Sequence, residues 1–237
     1  MKNKTFGVIG AMESEVTQLR AALGNLETTE HAGLTFYSGA LGANRVVLVR
    51  CGVGKVNAAR CTQALIDCYT PDYIVNTGIA GGIGEGLAVA DVVIGTELVQ
   101  HDFDVTAFGY ARGNLCEQEH RDTPTVFHSD EALIEAFRAA ASSLLDGKRV
   151  KTGRIATGDL FVASAEAKRN IAGAFGAVAA EMEGGAIAQV AALSGVPFIV
   201  LRAISDLADG SSPGSFGEFE QETADLSASI LRKLIEG

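Results

Sequence analysis

The sequence has no tryptophan, only four prolines and three methionines, and aromatic side chains fill just 6% of its 237 positions. An interior built without large rings must be aliphatic. So few prolines exclude stiff extended linkers. Positive charge is also scarce: 19 basic residues face 29 acidic ones, for a net charge of −10. Such a surface repels phosphate backbones, which argues against DNA, RNA or an anionic membrane as partner. No stretch of about 18 apolar residues exists to span a membrane. The opening MKNKTFGVIGAMESE is interrupted by Glu13 before it reaches the apolar length of a signal peptide.

Several site signatures are missing too. The four cysteines (Cys51, Cys61, Cys68, Cys116) form no C-x-x-C pair, and His31, His101, His120 and His128 have no H-x-x-x-H spacing. No zinc site is expected, and the cysteines read as reduced, small core residues of a cytoplasmic protein. Gly52-Val-Gly-Lys55 is only a fragment of a phosphate loop. Val49 and Val56 stand where that loop needs glycine and a hydroxyl. No G-x-G-x-x-G follows the first apolar run, and no G-x-S-x-G occurs. Neither a dinucleotide cofactor nor a serine nucleophile is indicated.

What is present is a globular composition, 47% hydrophobic and 20% charged, with 28 glycines. The length suits one large domain, and no composition break marks a linker, so residues 1–237 are expected to form a single domain. Apolar runs and helical periodicity alternate. Strands are expected at 6–12, 34–41, 45–51, 73–77, 89–99, 149–157, 177–181 and 198–205. Helices are expected at 13–23, 55–69, 130–145 (capped by Ser129), 164–175, 184–194 and from about Ser215 to 235. Gly78–Gly82 reads as a glycine-rich turn, and 101–125 as a long polar loop of the kind usually tied to function or an interface. The alternation predicts an α/β fold: a mixed, largely parallel twisted sheet flanked by helices. Ligands of such sheets bind at the carboxyl ends of strands.

Three polar clusters fall at those ends: Glu13 and Glu15 after the first strand, Glu181-Met-Glu183, and Arg202-Ala-Ile-Ser-Asp206. Each alone has a simpler role at a helix terminus. Their convergence on one edge points to a shared site.

The segments NTGIAGG (76–82), HDFDVTAFGY (101–110), ATGDLFV (156–162), AEMEGGAIA (180–188) and RAISDLAD (202–209), with the GAMESEV start, resemble the 5′-methylthioadenosine/S-adenosylhomocysteine nucleosidases. These belong to the nucleoside phosphorylase superfamily, and the match runs along essentially the whole chain. The resemblance implies hydrolysis of the N-glycosidic bond of 5′-modified adenosines to adenine and the thioribose, without metal or cofactor. It places Asp206 as the acid that protonates purine N7; a carboxyl that donates near neutral pH must arrive protonated. It makes Glu15 the group that activates water, with Arg202 assisting, and Glu183 the acceptor for the ribose hydroxyls. Phe161 would stack on adenine, with the backbone of Val162 reading its edge. Met12 and Met182 would pack on the ribose, and Phe216 would cover it. Ala80, Gly81, Glu181 and Ser205 would complete the wall. Val105 and Phe108 would reach the 5′-substituent pocket of the partner subunit in a homodimer. Ile79 departs from the serine many members carry there, so Glu15, Arg202 and backbone groups alone would hold the water.

Two rival functions follow from the same fold. A phosphorolytic purine nucleoside or methylthioadenosine phosphorylase would need cationic groups for phosphate. Asn76 stands where an arginine is expected, and Glu15 would repel the anion. A non-catalytic nucleoside-binding or storage protein would be expected to lose the acid and base residues that this chain keeps.

Overall fold

The computed structural model describes every residue except Ser211, and every side chain of those residues except Lys148, Ser212, Pro213 and Ser215. In chain order the elements are β1 (Thr5–Gly10), α1 (Glu13–Ala22), β2 (Gly24–His31), β3 (Leu34–Leu41), β4 (Asn44–Arg50), α2 (Lys55–Tyr69), β5 (Tyr73–Gly82) and β6 (Val92–Gln100). There follow β7 (Phe127–His128), α3 (Glu131–Leu144), β8 (Val150–Thr157), α4 (Ala165–Phe175), β9 (Ala177–Glu181), α5 (Gly184–Leu193), β10 (Phe198–Asp206) and α6 (Ser212–Glu236).

Among the described residues ten strands join one mixed sheet, ordered β10-β6-β8-β9-β5-β1-β4-β3-β2 with β7 on the edge of β6. The α/β class expected from the sequence is the class observed. A second pairing of β10, parallel to β5, closes β5, β10, β6, β8 and β9 into a hydrogen-bonded ring. This ring matters for the site, because β5, β8, β9 and β10 all end near one another.

Both faces of the sheet are covered. Ile9, Val47, Val49 and Ile74 pack with Ala58, Cys61 and Leu65 of α2 and Ile187 and Ala191 of α5. Phe6, Val8, Leu48 and Val75 share a second cluster with Val16 and Leu19 of α1, Leu133 and Phe137 of α3, and Leu231 and Ile235 of α6. The central strands are therefore apolar on both sides, which is why they read as continuous runs. Among the described residues no helix is long and apolar enough to cross a membrane.

Four details differ from the sequence reading. Residues 78–82 are the last part of β5, not a turn, pairing with β10 and β9. Their small size serves close packing rather than a bend: a Cβ on Gly78 would stand 2.5 Å from Glu15 Oε1. β2 escaped notice because GNLETTEH has no apolar alternation. All eight of its residues are exposed, and β3 is its partner in the sheet. As an edge strand it carries Glu27 and Glu30, charges that discourage further pairing. Cys68 and Cys116 are exposed rather than core residues, whereas Cys51 and Cys61 are buried.

The cap of α3 is the fourth. Ser129 was the expected capping residue, but Asp130 performs this role, its side chain accepting from Leu133 N at 2.9 Å. An alanine at an N-cap costs about 1 kcal/mol. Asp130→Ala should lower unfolding stability by about that much in urea denaturation and leave ligand binding unchanged, because α3 lies away from the strand ends that carry the site.

Candidate active site

A cavity of about 210 Å³ opens at the carboxyl ends of the strands. Ala11, Met12 and Glu15 come from the β1–α1 junction, and Ile79, Ala80 and Gly81 from the end of β5. Ala180, Glu181, Met182 and Glu183 come from β9 and its turn into α5, and Ser205 and Asp206 from the end of β10. Leu160, Phe161 and Val162 lie on the β8–α4 loop, Val53 on the β4–α2 loop and Phe216 on α6. Phe161 and Phe216 meet edge to face, with ring centroids 5.6 Å apart.

Thirteen of the sequence-derived site residues line this one cavity: Met12, Glu15, Ile79, Ala80, Gly81, Phe161, Val162, Glu181, Met182, Glu183, Ser205, Asp206 and Phe216. Three do not. Val105 and Phe108 lie on a separate short helical turn at the surface, where Phe108 is 74% exposed. Arg202 is the third. It is fully buried behind the cavity wall and makes no hydrogen bond to Glu15. Its Nη2 donates to Glu181 and to Asn76 Oδ1, and its Nη1 to the carbonyl of Leu201. Asn76 therefore sits behind the wall with Arg202. Four lining residues were given no site role from the sequence: Ala11, Val53, Leu160 and Ala180. Val53 had a usable signal, since it follows a strand end.

The acidic groups differ sharply in how they are held. Glu15 accepts from the backbone N–H groups of Ala11 at 2.6 Å, Met12 at 3.0 Å and Ile79 at 3.2 Å. Glu181 accepts from Arg202 and Thr157, and from the N–H groups of Glu183 at 2.9 Å and Gly184 at 2.7 Å at the start of α5. Glu183 accepts from Gly54 N at 2.8 Å. Asp206 Oδ1 accepts from Ala208 N at 2.8 Å, and the Ser205 hydroxyl lies 2.9 Å from its Oδ2 and 3.4 Å from the Ala80 carbonyl. Glu13, by contrast, turns to the surface and pairs with Arg20 and Arg50. Among the described residues no lysine, arginine or histidine lines the cavity, and no cluster of His, Cys, Asp or Glu could hold a metal ion.

This edge of paired strands, with its carboxylates around one apolar cavity, agrees with what the family comparison finds. The model of the phosphorylase superfamily matches residues 5–236. A curated protein of Geobacillus kaustophilus, named 5′-methylthioadenosine/S-adenosylhomocysteine nucleosidase, is 44% identical over 229 residues, 96% of this chain and 95% of the relative. The chain belongs to that nucleosidase family. Two solved nucleosidases show the same fold. The Neisseria meningitidis enzyme, in complex with methylthio-immucillin-A, superposes with a TM-score of 0.92 at 44% identity, covering 98% of this chain and 99% of that one. The Streptococcus pyogenes S-adenosylhomocysteine nucleosidase, in complex with 5-methylthiotubericidin, gives 0.92 at 38% identity, covering 100% and 98%.

In this nucleosidase the three glutamates share a single buried cation and titrate apart. Burial would raise the carboxyl of Glu181, but the Arg202 charge and the hydrogen bonds from Thr157, Gly184 and Glu183 more than offset it and hold it low. Burial raises Glu15 above the usual range, against the opposing pull of Arg202 and three N–H groups. Burial, reinforced by the charge of Glu181, pushes Glu183 up to about 8. A carboxyl whose folded-state pKa lies above its unfolded value binds more protons when folded across the window between them. Glu183 therefore contributes fully to stability below its ordinary 4.5, and that contribution is lost as pH rises toward about 8. Urea midpoints at pH 5, 6.5 and 8 should fall with pH in the wild type, and Glu183→Gln should flatten that slope.

Proposed function

We propose that this chain hydrolyses the N-glycosidic bond of 5′-methylthioadenosine, S-adenosylhomocysteine and related 5′-modified adenosines, releasing adenine and the thioribose. The observation that carries this reading is the gathering of Glu15, Glu183 and Asp206 around one apolar cavity without a cationic side chain in its lining. The names of its relatives support it independently.

Breaking a glycosidic bond to adenine requires a better leaving group, a stabilised sugar cation and a placed water. Asp206 supplies the proton to N7. The Ser205 hydroxyl beside it can donate to the carboxylate, or turn to the Ala80 carbonyl when Asp206 holds a proton. Phe161 stacks on the base, and Val162 offers its backbone to the purine edge. Glu183 accepts from the vicinal ribose hydroxyls. These donors favour its ionised form, which in turn stabilises positive charge on the sugar. Met12 and Met182 pack on the ribose and Phe216 covers it. Glu15 orients the water and takes its proton. Burial raises its pKa and so makes it a stronger base than an ordinary carboxylate, and the N–H groups of Ala11, Met12 and Ile79 fix its orientation. Ile79 thus contributes through its backbone, so the loss of a serine hydroxyl there leaves Glu15 anchored. Arg202 acts from behind the wall, through Glu181 and by its charge on Glu15, rather than by touching the water.

A phosphorylase reading is disfavoured by the same lining. A phosphate dianion beside Glu15 would meet a buried carboxylate and no lysine or arginine. The reading includes a homodimer. Phe108 and the half-buried Val105 lie on the 101–125 loop, whose backbone is braced by Asn114 bonds to the carbonyls of His120 and Thr123. In the dimer Phe108 would be buried and would reach, with Val105, the open side of the neighbouring subunit's cavity, the side on which Phe161 is 42% exposed. The protein is taken to be cytoplasmic, a single domain, and active without metal or cofactor.

Adenine release from 5′-methylthioadenosine, S-adenosylhomocysteine, 5′-deoxyadenosine and an aminofutalosine-type nucleoside tests the reading. Turnover should be the same with and without phosphate, and no sugar 1-phosphate should form. Asp206→Asn should still bind nucleoside but lose at least about 10²-fold in turnover, the usual worth of a general acid. A phosphate requirement, or wild-type turnover in the folded variant, would overturn it.

A further inference from the structure

The loop that carries Leu160, Phe161 and Val162 has neither helical nor strand structure of its own, so something else must fix it over the cavity. At its root, Gly158 N donates to the Glu181 carbonyl at 3.1 Å. Its backbone also rests on the buried ring of His101: a Cβ on Gly158 would stand 2.4 Å from His101 Nε2. The next residue is held from two sides. Asp159 N donates to Asp102 Oδ2 at 2.8 Å, and Asp159 Oδ1 accepts from Lys55 N at 2.8 Å.

Lys55 is the first residue of α2, and Gly54 before it offers no capping side chain. Asp159 therefore caps α2 from 104 residues away. The Lys55 ammonium closes the circuit, donating to Asp102 Oδ1 at 2.6 Å and to Gln100 Oε1 at 3.2 Å. Asp102 thus divides its two oxygens between the start of α2 and the loop. Burial opposes its charge, but Lys55 and the Asp159 N–H outweigh that and keep the carboxyl below its usual range. One residue back along the chain, Gly54 N donates to Glu183 at 2.8 Å. A continuous path runs from the ribose carboxylate through Gly54, Lys55, Asp102 and Asp159 to Phe161.

We propose that Asp102, bridged to Lys55, is a positioning residue for the purine end of the substrate, because it sets the Phe161–Val162 loop at a fixed placement relative to Glu183. The proposal rests on the nucleosidase reading above. Neither residue lines the cavity or approaches Glu15 or Asp206, so the water and the acid stay in place when the bridge is cut. What loosens is base stacking, which is felt alike in the ground and transition states. A loss of that kind raises KM and spares kcat.

The test compares steady-state kinetics of Asp102→Ala, Asp102→Asn and Lys55→Met with the wild type on 5′-methylthioadenosine, together with the affinity of each for free adenine by calorimetry. A charged hydrogen bond, discounted for partial exposure, corresponds to about a 10-fold change. Asp102→Ala should raise KM about 10-fold, weaken adenine binding in parallel, and keep kcat within about 3-fold of wild type. Asp102→Asn, which keeps an acceptor for Asp159 N, should recover much of that loss, and Lys55→Met should act in the same direction as the alanine variant. A fall in thermal stability with KM and adenine affinity unchanged would overturn the proposal, as would a fall in kcat alone. If Asp102→Ala does not fold, Lys55→Met decides by the same criteria. A wild type that releases no adenine overturns the nucleosidase reading and this inference with it. A wild type that releases adenine beside variants with unchanged KM overturns only the inference.

Discussion

Arg202 is a cation locked behind the wall of the cavity, and three glutamates depend on it. An arginine cannot shed its proton, so a buried guanidinium must find negative partners or cost several kcal/mol, of order, in lost hydration. Glu181 meets that need directly and stays ionised. Once that pair is made, Glu15 and Glu183 receive only the remaining field of Arg202, and burial raises both. Glu15 and Glu183 are thereby left with backbone N–H partners but no cation of their own, while Glu181 holds the guanidinium. Pairs of acids with different environments at one site are how a protein assigns different tasks to the same side chain.

The fold exists in a form that makes this arrangement possible. β10 pairs with both β5 and β6, so Arg202 lies opposite Gly78 in one register and Val93 in the other. Gly78 leaves room for the Glu15 carboxylate, and the start of α5 turns its N–H groups onto Glu181. Each acidic group thus accepts at least one backbone N–H, and Glu181 is held by the buried Arg202 and Thr157 side chains as well. Such preorganisation lets a site act on developing charge without first rearranging.

Much of this was legible in the sequence because strand ends announce themselves: an apolar run breaks into polar residues, and in an α/β sheet that is where ligands go. Glu15, Glu183 and Asp206 were found in this way. The strand at 78–82 was misread because glycine usually marks turns; here it marks close approach, a property of the partner Glu15 and not of the local chain. β2 was invisible because an exposed edge strand has no buried face to impose a period. The partners of Arg202 were not legible either, since Glu181 and Asn76 come from β9 and β5 and their meeting is decided by strand order. The same holds for Lys55, Asp102 and Asp159, which come from the start of α2 and from two separate loops with no shared pattern.

The account turns on how one cation is divided among three acids, and the ionisation of Glu183 reports it most directly. Carbon-13 NMR of the glutamate carboxyls in the unliganded protein, with Glu183 assigned by its loss in the glutamine variant, follows each group through pH. The expected result is a Glu183 carboxyl that stays protonated through neutrality and titrates near 8, beside a Glu181 that remains ionised. A Glu183 that titrates at about 4.3, as a free glutamate does, would show that the Arg202 charge is not spent on Glu181 and would contradict the account.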